Sequence, residues 1–497
     1  MSKKDKILIG ITLALVIFTF ISYFAFLQFS SKSFFGIDDY YHVAVADFIK
    51  DFGYNYDFRW AQFSTFKDMF SDKDFLFHLF IIPFLYLSDN IITAGKYAII
   101  FYNLLFIIAY LIILRRYIPL YFASLFLLFP LASITFSIYF TYLRPATLAN
   151  IFTIIGIYLL INKKWVKLSV LALFYPLAHI SFFTLVIFAL LCETIRYVAK
   201  KEFFFRNIYV VIIATILGCF LHPNYPNNYL SIHLNGILVP FYTLTGVKLD
   251  FGGEFNTLPT KMVLMQNIML FLIFNAIIWI KFLTKTKVSF STLVWWGCTS
   301  FYLVLAFIGN RYWYTTNVLF FIFFASFLKD WRGEKKWTIS IPFVLCICIF
   351  VAVFSFRLKT LGEHSKERTS MNIHYEKVAR WMNKNIPAGQ TIYHAYWSDS
   401  PAFICLNPKN NYMVVLDPIY MFYRYPKEYI IYQDLRKGKV SNPQEAFRKL
   451  FRTDYGYTRN NNSLYLQIKE DSQNFKILYE DDLGIVFQVL PDGDRAT

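Results

Sequence analysis

No charged side chain interrupts the chain from Ile7 to Leu27, and apolar runs of comparable character recur over the first 356 residues. A helix needs about 20 apolar residues to cross the roughly 30 Å hydrocarbon core of a bilayer, whereas elements of a soluble core alternate polar and apolar residues at helical or strand period. The blocks therefore dictate a polytopic membrane protein. Composition agrees: of 497 residues, 57% are hydrophobic, 21% aromatic and 16% charged, against about a quarter charged in globular proteins. A water-soluble enzyme is excluded, because a domain of this size cannot bury so much apolar surface. The formal charge of +17, from 49 basic and 32 acidic residues, would suit a nucleic-acid partner if it formed one patch. Instead the lysines and arginines stand in short clusters beside the apolar spans, the positive-inside pattern, and no nucleic acid is implied.

Lys3, Lys4 and Lys6 precede the first run, which is too long for a cleaved signal and lacks a small-residue cleavage site. It reads as an uncleaved first span with a cytoplasmic N-terminus. Four later clusters are expected in the cytoplasm: Lys163, Lys164 and Lys167; Arg196, Lys200, Lys201 and Arg206; Lys281, Lys285 and Lys287; Lys329, Arg332, Lys335 and Lys336. For the first two to share a side, the chain between them must cross twice, turning near Pro176 to Ser181. The run 118–143 must likewise cross twice, turning at Pro130, to leave Arg144 external. With one crossing from external Arg144 to cytoplasmic Lys163 and spans near 76–90, 95–114, 207–221, 263–283, 290–308, 313–328 and 338–356, the fold class is a mainly α polytopic protein of 13 transmembrane helices, with 11 as the alternative. Either number puts the C-terminus outside. Cys192, Cys219, Cys298, Cys346 and Cys348 fall in or at the ends of spans and imply no disulfide framework; Cys346 and Cys348 read as small core residues.

Composition changes near Arg357. Residues 1–356 form the membrane domain, 357–370 a basic linker, and 371–497 a separate external domain of about 130 residues, enough for its own core. Its pattern gives a helix from Met371 to Lys384, strands at Thr391–His394 and Tyr412–Leu416, helices between Pro426 and Phe451, and strands at Lys476–Tyr479 and Gly484–Val489. That alternation is α/β. No internal repeat or low-complexity tract is present.

Residues with chemistry gather in the external loops. The first, 28–75, carries Gly36-Ile37-Asp38-Asp39-Tyr40-Tyr41-His42, followed by apolar residues near helical spacing that predict an amphipathic helix lying on the membrane surface. Asp38 and Asp39 stand in its first turn and His42 on the same face. Asp38 is either an N-cap or a functional carboxylate. A carboxylate at that level is placed to take a proton from a nucleophile attacking a lipid-carried substrate, and the pair Asp38 and Asp39 also offers hard oxygen ligands for Mg²⁺ or Mn²⁺. Arg144, beside Pro145, and Arg311, in Gly309-Asn310-Arg311-Tyr312, are either snorkelling arginines or phosphate ligands. The loop 222–262 holds His222, His233, Asp250 and Glu254, with Gly252 and Gly253 just before the glutamate, and reads as a substrate loop.

These features resemble the GT-C class of polyprenol-dependent glycosyltransferases, and within it the oligosaccharyltransferase catalytic subunit. An acidic first-loop motif followed by aromatics, here Asp38-Asp39-Tyr40-Tyr41-His42, and a spans-then-external-domain plan carry the likeness. The resemblance implies an inverting sugar transferase using a polyprenyl-phosphate or diphosphate donor, with Asp39 or Asp38 as base. It also implies Arg311 on the donor phosphate and Glu254 toward the acceptor, which is a glycan, lipid or protein; Arg144 is a further candidate for the donor phosphate, and His42 and His222 for the acceptor or substrate loop. Two positions depart from the pattern. Tyr396-Trp397-Ser398-Asp399-Ser400 stands where the oligosaccharyltransferases carry Trp-Trp-Asp-Tyr-Gly, and Ala146 stands where an acid follows the arginine. Rival readings are a transporter or flippase of lipid-linked saccharides and a polysaccharide polymerase or ligase. High Phe, Lys and Asn content fits an A/T-rich bacterial genome and a bacterial cytoplasmic membrane.

Overall fold

The computed structural model describes residues 3–54, 57–247, 249–333 and 341–491, without side chains for the start of the first helix or for 341–358. Lys335, Lys336, the first residues of the span expected at 338–356, and the Cys346 and Cys348 side chains lie outside the described residues. Three described helices are long and apolar enough to cross a membrane: Ile91–Leu114, Ile180–Lys200 and Phe290–Ile308. Two bent pairs raise the number to five, and shorter apolar helices such as Ala146–Ile161, Trp165–Ala178 and Phe205–Phe220 pack among them. Their outer faces are apolar, with Ile216, Leu217, Trp279, Phe282 and Leu283 exposed. Such a face is compatible with lipid and not with water. Where Phe205–Phe220 crosses Trp165–Ala178, a Cβ at Gly218 would stand 2.2 Å from the Leu173 carbonyl, so only glycine permits that approach.

Contacts at the helix ends sort the loops. At one end Lys329 Nζ donates to the Arg116 carbonyl at 3.2 Å, Asp330 accepts from Ser289 N–H at 2.8 Å, Arg196 lies 4.4 Å over the Phe290 ring, and Lys163 pairs with Glu202 at 3.0 Å. The described basic clusters thus share one end, together with Arg115 and Arg116. At the other end Lys96 Nζ donates to the Ser31 carbonyl at 2.5 Å and Gln28 Nε2 to the Thr141 carbonyl at 2.6 Å.

Several expectations are corrected. The run 118–143 does not cross twice: it forms Leu120–Phe126, a 3₁₀ turn Phe129–Ala132 and Ile134–Phe140, with a 99° bend at Ser133. Seven helical residues rise about 10 Å, a third of the hydrocarbon core. Pro130 sits in the 3₁₀ turn, and the Ser133 hydroxyl caps the second piece by accepting from Phe136 N–H. The span expected at 76–90 is an 11-residue helix, Phe75–Leu85, too short to cross. The turn between 163–167 and 196–206 falls at His179–Phe182, as expected. Residues 357–370, expected as a basic linker, are helical, within one helix from Ile341 to Asn385, about 68 Å long.

The C-terminal sheet contains β1 (Thr391–His394), β2 (Asn411–Tyr412), β3 (Tyr455–Arg459), β4 (Phe475–Glu480) and β5 (Gly484–Val489) in the order β2-β1-β3-β5-β4. β1 is parallel to both neighbours, while β5 is antiparallel to β3 and β4. The strand expected at 412–416 stops at Tyr412, and β3 was not anticipated. Beyond β2 the first loop adds a short rung: Tyr412 N–H donates to the Trp60 carbonyl at 2.6 Å, and Gln62 and Phe63 N–H donate to the Tyr412 and Met413 carbonyls at 2.8 Å. Trp60 stacks on Phe48 with ring centres 3.8 Å apart and donates to the Pro408 carbonyl at 2.7 Å. The sheet edge is thereby covered by the first loop.

Candidate functional site

Asp38–Phe52 forms a helix, but not on the membrane surface: residues from Asp39 to Ala46 are all buried, packed against the Phe75–Leu85 helix and against Ser400–Leu406 of the C-terminal domain. Apolar residues on every face explain the difference, since Val43, Ala44, Val45 and Ala46 leave no polar side to face water. The helix begins at Asp38 without a side-chain cap, so Asp38 is not an N-cap. Its carboxylate instead accepts from Arg144 Nη2 at 2.8 Å.

Around that pair four distant segments converge. Arg144 Nη1 also binds Glu254, whose other oxygen lies 3.6 Å from Arg311 Nη1. Tyr139 donates to Glu254 at 3.1 Å. The Arg144 guanidinium rests on the rings of Tyr139 and Tyr142, at 5.1 and 5.3 Å, and Arg311 on Phe255 at 4.6 Å. The side chains of Asp38, Arg144, Glu254 and Arg311 remain 19–31% exposed, so the cluster is open on one side. Burial opposes ionisation of Glu254, but Arg144 and Arg311 prevail and hold its carboxyl down at about 2. Arg144 Nε is buried without a partner, a spare donor inside a site already rich in them.

Asp39 faces the other way. It is fully buried and accepts main-chain N–H groups on both oxygens, from Leu143 at 3.0 Å and Gly36 at 3.1 Å. A Cβ at Gly36 would stand 2.4 Å from Asp39 Oδ1, so glycine is required there for the loop to close on the carboxyl. Burial pushes the Asp39 carboxyl up to about 8, against the pull of Arg144 and the two N–H groups. Asp39 thus clips the first loop to the segment that carries Arg144. Burial also raises Asp38, with Arg144 opposing.

Both oxygens of Asp39 accept main-chain N–H groups, and one oxygen of Asp38 accepts from Arg144. Ala146 supplies no further carboxylate, and among the described residues no three His, Cys, Asp or Glu side chains gather as metal ligands.

His42 and His222 lie outside the acid–arginine cluster. His42 Nδ1 meets His78 Nε2 at 2.8 Å, and His78 Nδ1 meets Asp72 at 2.7 Å. Burial, then the neighbouring His78, keeps His42 well below the usual imidazole range and therefore neutral. His222 is also buried; it accepts from Asn224 N–H at 3.2 Å on Nδ1, so Nε2 carries the proton given to the Asp72 carbonyl at 3.1 Å. These histidines tie the end of the first loop to the loop 222–262. Two residues that sequence reasoning did not select lie within electrostatic reach of the cluster: Lys73, paired with Asp74, and the buried Asp417. Burial pushes the Asp417 carboxyl up to about 7, and the charges of Arg311, Glu254 and Lys73 act on it. Leu416, just before it, holds φ at +68°, a conformation costly for a bulky residue and concentrated at functional sites.

No family model matches this sequence, and no curated relative does. Solved structures do resemble it. An oligosaccharyltransferase of Archaeoglobus fulgidus in the apo form aligns at a TM-score of 0.64 with 10% identity, over 92% of this chain and 70% of that one. ArnT of Cupriavidus metallidurans, solved with undecaprenyl phosphate, aligns at 0.58 with 11% identity over 99% of both chains, and its apo form at 0.60. The fold is of the GT-C class, and the protein is integral to a membrane.

Proposed function

We propose that this chain is an inverting glycosyltransferase of the external membrane face, taking a sugar from a polyprenyl-phosphate or diphosphate donor. The observation that carries the reading is the open Asp38–Arg144–Glu254–Arg311 cluster, assembled from segments up to 273 residues apart at the end of the bundle away from the basic clusters. Asp38, not Asp39, is the base: it is the carboxylate of the pair that reaches the open side. The acceptor hydroxyl or amine attacks the anomeric carbon and gives its proton to Asp38. The bond from that carbon to the phosphate oxygen breaks, and the polyprenyl phosphate or diphosphate leaves with the electron pair. Arg311 and Arg144, planar donors with Arg144 Nε unspent, stabilise the charge that develops on the leaving oxygens. No step is routed through a metal.

Contacts at the helix ends favour 11 crossings over 13. Arg116 lies with Lys329, so Ile91–Leu114 runs inward, and the bent 120–140 segment returns outward as one broken span. The N-terminus is then cytoplasmic, and the loops 28–75 and 222–262 and the C-terminal domain are external. The test is the lipid-linked saccharide that accumulates in cells lacking the protein. A missing transferase leaves the donor on the external leaflet, whereas a missing flippase leaves it on the cytoplasmic leaflet and would replace this reading.

A further inference from the structure

A cleft of about 450 Å³ opens between the loop 222–262 and the C-terminal domain, lined by Asp250, Tyr396, Trp397, Arg436, Asn461 and Asn462 among others. That volume is in the range of small-ligand sites, about 300–1,000 Å³. We propose that it binds a saccharide, the acceptor chain of the transfer reaction; the assignment of the occupant as acceptor rests on the transferase reading above.

Three observations carry the proposal. First, the lining pairs aromatic rings with amides. Trp397 is half-buried, with its indole N–H pinned to the Asp250 carbonyl at 2.8 Å. Asn461 is exposed on the rim, and Asn462 Nδ2 is buried in the wall without a partner while its oxygen caps the helix Ser463–Glu470. A sugar presents an apolar C–H face to an indole and hydroxyls to amide groups, whereas a peptide anchor needs an apolar pocket, which charged and amide side chains do not provide.

Second, the walls are held rigid. Tyr396 is clasped between the guanidinium groups of Arg436 and Arg459, at 4.7 and 4.1 Å, and Arg436 Nη1 binds the Asp250 carboxylate at 2.5 Å. Asp399 is fully buried in a pair with Arg459 and is thus withdrawn from any acceptor. Rigid walls reduce the ordering cost of binding a flexible chain.

Third, the cleft and the acid–arginine cluster share a loop. Asp250 anchors the cleft, and Glu254, four residues on, binds Arg144 and Arg311. Four residues span at most about 14 Å, which puts the cleft's Asp250 within a few sugar units of Glu254 in the acid–arginine cluster.

The experiment presents the purified full-length protein to arrayed neutral, amino and acidic oligosaccharides and, in parallel, to arrayed peptides that include Asn-x-Thr sequences. The best binder is then titrated against wild type, Trp397→Ala and Asn461→Ala. Asn461 is exposed, so its variant folds even where loss of Trp397 disturbs the loop. Saccharide binding weakened about tenfold in both variants is the expected result. Binding confined to peptides, or saccharide binding indifferent to both substitutions, overturns the proposal. Binding of a polyprenyl-phosphate donor by the wild type, measured separately, reads the transferase assignment: its failure removes the acceptor role, while saccharide binding at Trp397 stands or falls on the arrays.

Discussion

Asp38 and Asp39 are adjacent and opposite in kind because neighbours on a helix point about 100° apart. One reaches the acid–arginine cluster, and the other closes the loop beneath it. The difference has a pH signature. The Asp39 carboxyl is pushed up to about 8 by burial and returns to about 3.9 on unfolding, so between these values the folded chain holds a proton that the unfolded chain has lost. Its contribution to stability is full below about pH 4 and is lost as pH rises toward 8. Glu254, held down at about 2, acts with the opposite sign and only below about pH 4.5, outside the useful window. Between pH 5 and pH 8 the thermal midpoint of Asp39→Asn should therefore fall less steeply than that of the wild type, a comparison that subtracts Asp417 and the histidines; parallel curves would show that Asp39 is ionised throughout. Arg311 gives a second prediction. Lysine keeps the charge but loses the planar fork, so Arg311→Lys and Arg311→Ala should both bind a polyprenyl-phosphate donor more weakly than wild type, by about tenfold or more, with uncharged polyprenol as control. Equal affinity in all three proteins would leave Arg311 an interfacial anchor. Asp38, Arg144, Glu254 and Arg311 were legible because each interrupts or borders an apolar run in a loop or turn between helices. Lys73 and Asp417 were not, since only the packing of the first loop on the C-terminal domain brings them near Arg311. His42, four residues after Asp38, turns inward toward His78 instead.

Elements were legible where a single period governs them. Ile91–Leu114, Phe290–Ile308 and β5 stand close to where the pattern puts them. The 120–140 segment misleads because its hydropathy is continuous, while Pro130 and Ser133 break it locally. The loop 28–75 misleads for the opposite reason: its polar content hides a rung on the C-terminal sheet, a pairing 351 residues distant (Ala61 with Tyr412) that no local signal marks. Trp60 is the hinge of that pairing, buried between Phe48 and the Pro408 carbonyl. Trp60→Ala should cost about 3–5 kcal/mol and make the C-terminal domain more sensitive to protease than in the wild type. Unchanged proteolysis would mean that the domain is held by the Ile341–Asn385 helix alone.

On the scale of the whole molecule, the membrane class and the C-terminal α/β content follow from composition. The convergence of the described basic clusters at one end, with the acid–arginine cluster at the other, gives the positive-inside pattern a structural form. A reporter fused after Thr497 should be external and one before Lys3 cytoplasmic; a cytoplasmic C-terminus would put the proposed site on the wrong side. The central claim is chemical: Asp38 takes a proton while a sugar leaves its lipid phosphate. It is tested most directly by reconstituting the purified protein in liposomes with a labelled polyprenyl-phosphate sugar and a saccharide acceptor, then measuring sugar released from the lipid by wild type and Asp38→Asn. The account predicts turnover by the wild type and a loss of about 10²- to 10⁴-fold in the variant, with both proteins folded. Lipid moved across the bilayer with its sugar intact, or equal turnover by the two proteins, would contradict it.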